Sequence, residues 1–107
     1  MANTFKNAKL ELTNTDSTIY TVPAGTVAII INSHVTNIAG SNTELTMTWL
    51  DSSDSNNATY IADAITVPTT AAYEPMGKLV LEAGDSVKGF ASANSSLDVT
   101  LSILEIS

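Results

Sequence analysis

Residues 96–106, SLDVTLSILEI, alternate apolar and polar side chains with a period of two, which is the period of a strand and not of a helix. Leu97, Val99, Leu101 and Ile103 would face a core, and Asp98, Thr100 and Ser102 would face water. Residues 44–51, ELTMTWLD, repeat the pattern with Leu45, Met47 and Trp49 on one side and Thr46 and Thr48 on the other. Further short runs at residues 5–13, 18–22, 26–36, 58–61, 64–67, 78–82 and 86–91 are each bounded by Gly, Pro, Asn, Asp or Ser. Eight or nine strands in one chain predict an all-β fold, an antiparallel β-sandwich of jelly-roll or immunoglobulin-like type, here a single domain with residues 1–6 as an N-terminal arm. After Ile103 the parity changes, because Leu104 and Ile106 are apolar and Glu105 is not. That predicts a bulge, or a last strand leaving the sheet to meet another surface.

Within TIYTVPAGTVAIIINSHVTN, residues 18–37, Pro23 presets φ for a turn and Gly25 supplies positive φ cheaply, so two strands are expected around VPAG. EAGD, residues 82–85, is a second turn of the same kind. Extending one alternation through the apolar run puts Val27, Ile29, Ile31 and Val35 in the interior and Ile30, Asn32 and His34 on the opposite face. An apolar Ile30 on an outward face would be explained by a covering neighbour.

No catalytic constellation accompanies His34, the single histidine: the chain has neither a GxSxG elbow nor an HExxH helix, so a surface or interface role is expected and no enzyme activity. Asp51, Asp54 and Asp63 surround the polar loop 51–58, but an EF-hand register begun at Asp51 puts Asn56 where glycine belongs and Ala62 where glutamate belongs. Neither a metal nor another cofactor is expected. Tyr60 and Tyr73 are the aromatic residues expected at the surface, and loop 51–58 with Tyr60 would form the site of a glycan- or receptor-binding module, the alternative of another class.

Charge narrows the partners. Eleven carboxylates against four lysines and no arginine give a formal net charge of −7, which cannot neutralise a phosphate backbone or hold an anionic membrane surface. With no cysteine there is no disulfide frame and no thiol nucleophile, so stability must come from packing or assembly. No apolar run has the length of a signal h-region or a membrane span, and a soluble, unprocessed product is expected.

The stretch TIYTVPAGTVAIIINSHVTNIAGSNTELTMTWLDSS combines a strand ending YTVPAG, an apolar strand, an N-x-x-G-x-N turn and a strand ending Asp-Ser-Ser. GKLVLEAGDSVKGFASANSSLDVTLSILEIS adds an L-x-x-G-D-x-V turn and an alternating last strand. Together, over nearly the whole chain, they resemble small β-sandwich virion structural proteins of tailed, particularly marine, bacteriophages. The resemblance implies a capsid decoration or cement protein, made in the host cytoplasm and resident on the capsid surface. Its partners would be the major capsid protein and copies of itself, as a trimer, with no nucleic acid, membrane or small-molecule ligand. A small tail or neck protein is the alternative. The expected assembly contacts are Phe5 and Lys6 near the N-terminus, Ile30, Asn32 and His34 on the third strand, and Leu104 and Ile106 at the C-terminus.

Overall fold

Among the described residues, nine strands pair as a nested hairpin that has been rolled up. In the computed structural model, which describes residues 2–75 and 77–107, the strands are β1 (Asn3–Glu11), β2 (Ser17–Thr21), β3 (Val27–Asn37), β4 (Thr43–Asp51), β5 (Asn57–Val67), β6 (Ala72–Tyr73), β7 (Leu79–Leu81), β8 (Ser86–Ala91) and β9 (Leu97–Ile106). β4 pairs with β5, β3 with β6 and β7, β2 with β8 and β1 with β9, all antiparallel. Rolling places β9 also against β3, and β8 also against β4. The result is a five-stranded sheet ordered β1-β9-β3 with β6 and β7 sharing the far edge of β3, and a four-stranded sheet ordered β2-β8-β4-β5. This is jelly-roll topology, with the strand before β8 split into two short pieces, and it selects between the two sandwich types expected.

The core lies between the sheets. Ile30, Val35, Leu81, Leu97, Val99, Leu101 and Ile103 from the larger sheet meet Ile19, Tyr20, Leu45, Met47, Val67, Val87 and Ala91 from the smaller one. Gly89 lets β8 approach β4 closely, since a Cβ there would stand 3.1 Å from the Thr46 carbonyl oxygen and 3.3 Å from the Met47 side chain.

Both expected turns form, and each crosses between the sheets. Gly25 (φ 72°) closes the β2–β3 turn and Gly84 (φ 87°) the β7–β8 turn. The turns also dock on one another: Val22 N–H donates to the Asp85 carbonyl at 2.9 Å and Gly84 N–H to the Val22 carbonyl at 3.1 Å.

Four expectations are corrected. Residues 58–61 and 64–67 belong to one strand, β5, which carries two extra residues opposite β4 and a left-handed Ala64 (φ 52°). Residues 3–6 are not an arm but the start of β1, paired with β9, and Ala2 exchanges backbone hydrogen bonds with Ser107; Met1 lies outside the described residues. Leu104–Ile106 do not leave the sheet, and β9 runs without a bulge against β1.

The fourth correction concerns β3. Ile30 pairs with Ile103 and Asn32 with Ser102, so Ile31 is an extra residue that switches the strand's parity. Ala28 and Ile30 before the bulge, and Ser33, Val35 and Asn37 after it, are buried. Ile30 therefore belongs to the core and not to an assembly surface. Val27 and Ile31, expected inside, are exposed, and Ile29 is half-buried on their side.

Candidate functional site

The bulge has a chemical consequence for the outer face of the larger sheet. Directly paired residues share a face, so Phe5 on β1, Leu104 on β9, Ile29 on β3 and Val80 on β7 form one apolar row across four strands. Val27 and Ile106 form the core of the next row, with Asn3 at its end. Ile31 lines a shallow depression of about 310 Å³ together with Phe5, Lys6, Asn7, Ser102 and Ile103. Exposure within this cluster is high for large apolar groups: 76 % for Phe5 and 61 % for Val80. Continuous exposed apolar area of a few hundred Å² is the scale at which a patch marks an interaction site.

Beyond the bulge the same face becomes polar. Asn32, His34 and Thr36 stand opposite Ser102, Thr100 and Asp98, which in turn face Asn7, Lys9 and Glu11. The outer sheet surface thus divides into an apolar half with no ionisable side chain among its paired positions and a half that carries charge.

The structure brings Phe5, Leu104 and Ile106 together in the apolar half. Asn32 and His34 occupy the polar half. Lys6 points to the other side of β1, where its ammonium lies 3.4 Å from Glu105. Sequence reasoning missed Val27, Ile29, Ile31 and Val80; the signal was the unbroken run Val27–Ile31, in which both parities are apolar.

His34 sits half-exposed on the open sheet surface, with Nδ1 3.8 Å from the exposed Glu74 carboxylate and Nε2 3.2 Å from the Asn32 amide nitrogen. Neither the depression beside Ile31 nor a second one lined by Lys9, Glu11, Asp98 and Thr100 includes it. Tyr60 is exposed as expected, whereas Tyr73 is half-buried against the core.

Acidic residues converge elsewhere, at the docked turns. One oxygen each of Asp51, Glu82 and Asp85 lies within 4.8 Å of the others, so Asp51 clusters with these two and not with Asp54 and Asp63. Asp85 is fully buried and its oxygens are occupied: Ser52 N–H donates at 2.9 Å, Ser52 Oγ at 2.8 Å, Glu82 N–H at 2.9 Å and Trp49 Nε1 at 3.2 Å. Burial pushes its pKa up, but these donors outweigh burial and hold the carboxyl below the ordinary range. The group acts as a structural clasp. A second polar link joins the sheets where Tyr20 Oη donates to Glu105; burial, then that hydrogen bond and the carboxylate's charge, push the phenol pKa up.

No protein-family model matches the chain, and no curated protein matches it. The fold is shared with solved structures. A chain of the acid-stable capsid of Helicobacter pylori bacteriophage KHP30 superposes with a TM-score of 0.60 at 12 % identity, over 100 % of this chain and 94 % of that one. A chain of the endospore appendages of Bacillus, a family of disulfide-linked pili, gives the same score and identity over 99 % of this chain and 87 % of that one. This chain is therefore similar in fold, across nearly its whole length, to a chain of a phage capsid and to a chain of endospore appendages.

Proposed function

We propose that this protein is a non-enzymatic virion structural protein, a decoration or cement subunit on the capsid surface of a tailed bacteriophage. The observation that carries the reading is the uncharged apolar half of the outer sheet face, exposed on a chain whose net charge is −7. Such a face is costly to leave in water and fits a partner surface of apolar character. The phage-capsid fold likeness supports the same reading. A single interface of this size is modest, but many copies on a lattice add up, because each bound neighbour raises the effective concentration of the next. The partners in this reading are the major capsid protein and further copies of this chain.

The likeness to a pilus chain favours a second reading, a component of a filament such as a phage tail or neck. Having no cysteine, the chain could not join such a filament through disulfides.

Immunogold labelling of particles from the virus that encodes the chain tests both readings, with co-sedimentation of purified chain and depleted heads as the quantitative arm. Label over the head lattice and heads that resist heat better after addition are the expected results. Label confined to tail or neck transfers the assignment to the second reading, and absence from particles overturns both.

A further inference from the structure

The sheet edges of this sandwich are unequal. β2 has five residues and an irregular register, β6 and β7 have two and three, and β5 is kinked by its two extra residues and by Ala64. Short, bulged or twisted strands of this kind resist pairing with another chain. β1 is different: nine residues, free of proline, in unbroken register with β9 from Asn3–Ile106 to Glu11–Asp98. Among the described residues no strand covers its other side.

Which backbone groups that edge offers follows from the bonds at its ends. Ala2 and Ser107 exchange both hydrogen bonds, and Leu12 N–H donates to Leu97. Even-numbered residues of β1 therefore bond to β9, and Asn3, Phe5, Asn7, Lys9 and Glu11 turn their N–H and C=O groups towards the open side.

From this geometry we infer that β1 pairs antiparallel with β1 of a second copy, about a two-fold axis through Asn7. In that register all nine residues pair: Asn3 faces the second copy's Glu11, Thr4 its Leu10, Phe5 its Lys9 and Lys6 its Ala8. No like charges stand opposite, each Lys9 ammonium lies beside an aromatic ring, and Lys6 is already partnered by Glu105. Sliding the strands one step so that the axis passes through Lys6 opposes two lysines and loses two pairs. Sliding the other way, to Ala8, also loses two pairs and sets Phe5 against Glu11. The axis stands perpendicular to the sheet, so both outer faces end on the same side of a continuous ten-stranded sheet, with the apolar half of each copy beside the charged half of the other. The inference deepens the assembly role proposed above, which can fail separately.

A chain without cysteine gives a clean test. In Asn7→Cys the two introduced thiols would sit on residues whose Cα atoms are about 5.5 Å apart, within disulfide reach, whereas in Asn3→Cys they would be about 27 Å apart. At about 0.1–1 mM, mild oxidation is expected to link Asn7→Cys into dimers at least tenfold faster than Asn3→Cys or Glu11→Cys alone. A mixture of the last two variants is expected to cross-link as a heterodimer. Asn7→Pro deletes an N–H that only the second copy would accept, so that variant is expected to keep the circular dichroism and thermal midpoint of the wild type yet sediment as a monomer. A wild type that stays monomeric throughout this range overturns the pairing. So does a three-fold assembly in which thiols at position 7 never meet, or a folded Asn7→Pro that dimerises like the wild type. Particle binding is read independently: heads bound by a monomeric wild type remove the pairing alone, and a dimer that never reaches a particle upholds the pairing and removes the virion role.

Discussion

Ile30 on β3 and Ile103 on β9 face each other with no more than 1 % of either exposed, while Ile31, the next residue along, has no partner on β9 and is 38 % exposed. Truncating Ile30 leaves a cavity between the sheets, and Ile30→Ala is expected to lower the unfolding free energy by about 2–5 kcal/mol. Ile31→Ala truncates a side chain that lies outside the core on the outer face and should cost less than Ile30→Ala, about 1 kcal/mol. Urea titrations of the two variants check this. Equal losses would mean that the bulge does not place the two neighbours on different sides.

That pair also shows where the sequence stops being legible. Strand positions and the two turns could be read because alternation and Pro-Ala-Gly chemistry are local. The parity of β3 could not, because Val27–Ile31 is apolar at every position, and a bulge that exchanges inside for outside leaves no mark on such a run. The same exchange hid the apolar face: Leu104 and Ile106 stood out by their change of parity and Phe5 by its place near the N-terminus, but the alignment of Phe5 and Leu104 with Ile29 and Val80 depends on three strand registers. β6, two residues long, carries no pattern at all, and Asp85 looked like an ordinary turn aspartate until the docked turns enclosed it.

Asp85 gives a pH-dependent prediction. A carboxyl held below its ordinary value adds stability above the unfolded pKa of about 3.9, and that contribution disappears as pH falls through the folded value. Asp85→Asn keeps the shape but weakens four hydrogen bonds, so a loss of about 1–3 kcal/mol is expected at pH 7. The gap between variant and wild type should narrow below about pH 4, where the Asp85 carboxyl of the unfolded chain begins to protonate while the folded one still resists. Denaturant midpoints at pH 7 and pH 3 measure it, and a gap that does not change with pH would rule out the clasp.

Tyr20 works in the opposite direction. A phenol raised by burial and by Glu105 contributes stability that is intact below the unfolded pKa of about 10 and fades as pH climbs towards the folded value. Tyr20→Phe is expected to lose about 1.5–3 kcal/mol at neutral pH, the range for a hydrogen bond to a charged acceptor. Above about pH 10 the wild type should fall faster than the variant, so that their thermal midpoints converge. Parallel alkaline curves would place the Tyr20 ionisation outside the unfolding equilibrium.

The outer face separates folding from assembly. Phe5 and Val80 are mostly in water and contribute little to the core, so Phe5→Ser with Val80→Ser is expected to move stability by less than about 1 kcal/mol. The same pair lies at two ends of the apolar row through Leu104 and Ile29, so an occupant of that row must bury both. Truncating aromatic and aliphatic anchors that an interface fully buries costs about 2 kcal/mol or more, which is roughly thirtyfold in affinity. Co-sedimentation with particles is therefore expected to weaken at least thirtyfold in the double variant. His34→Ala, in the polar half, serves as the control on the same sheet and should bind within about threefold of wild type, as a rim position does. If the double variant binds as tightly as the wild type while His34→Ala does not, the contact lies on the charged half, and the apolar row needs another occupant.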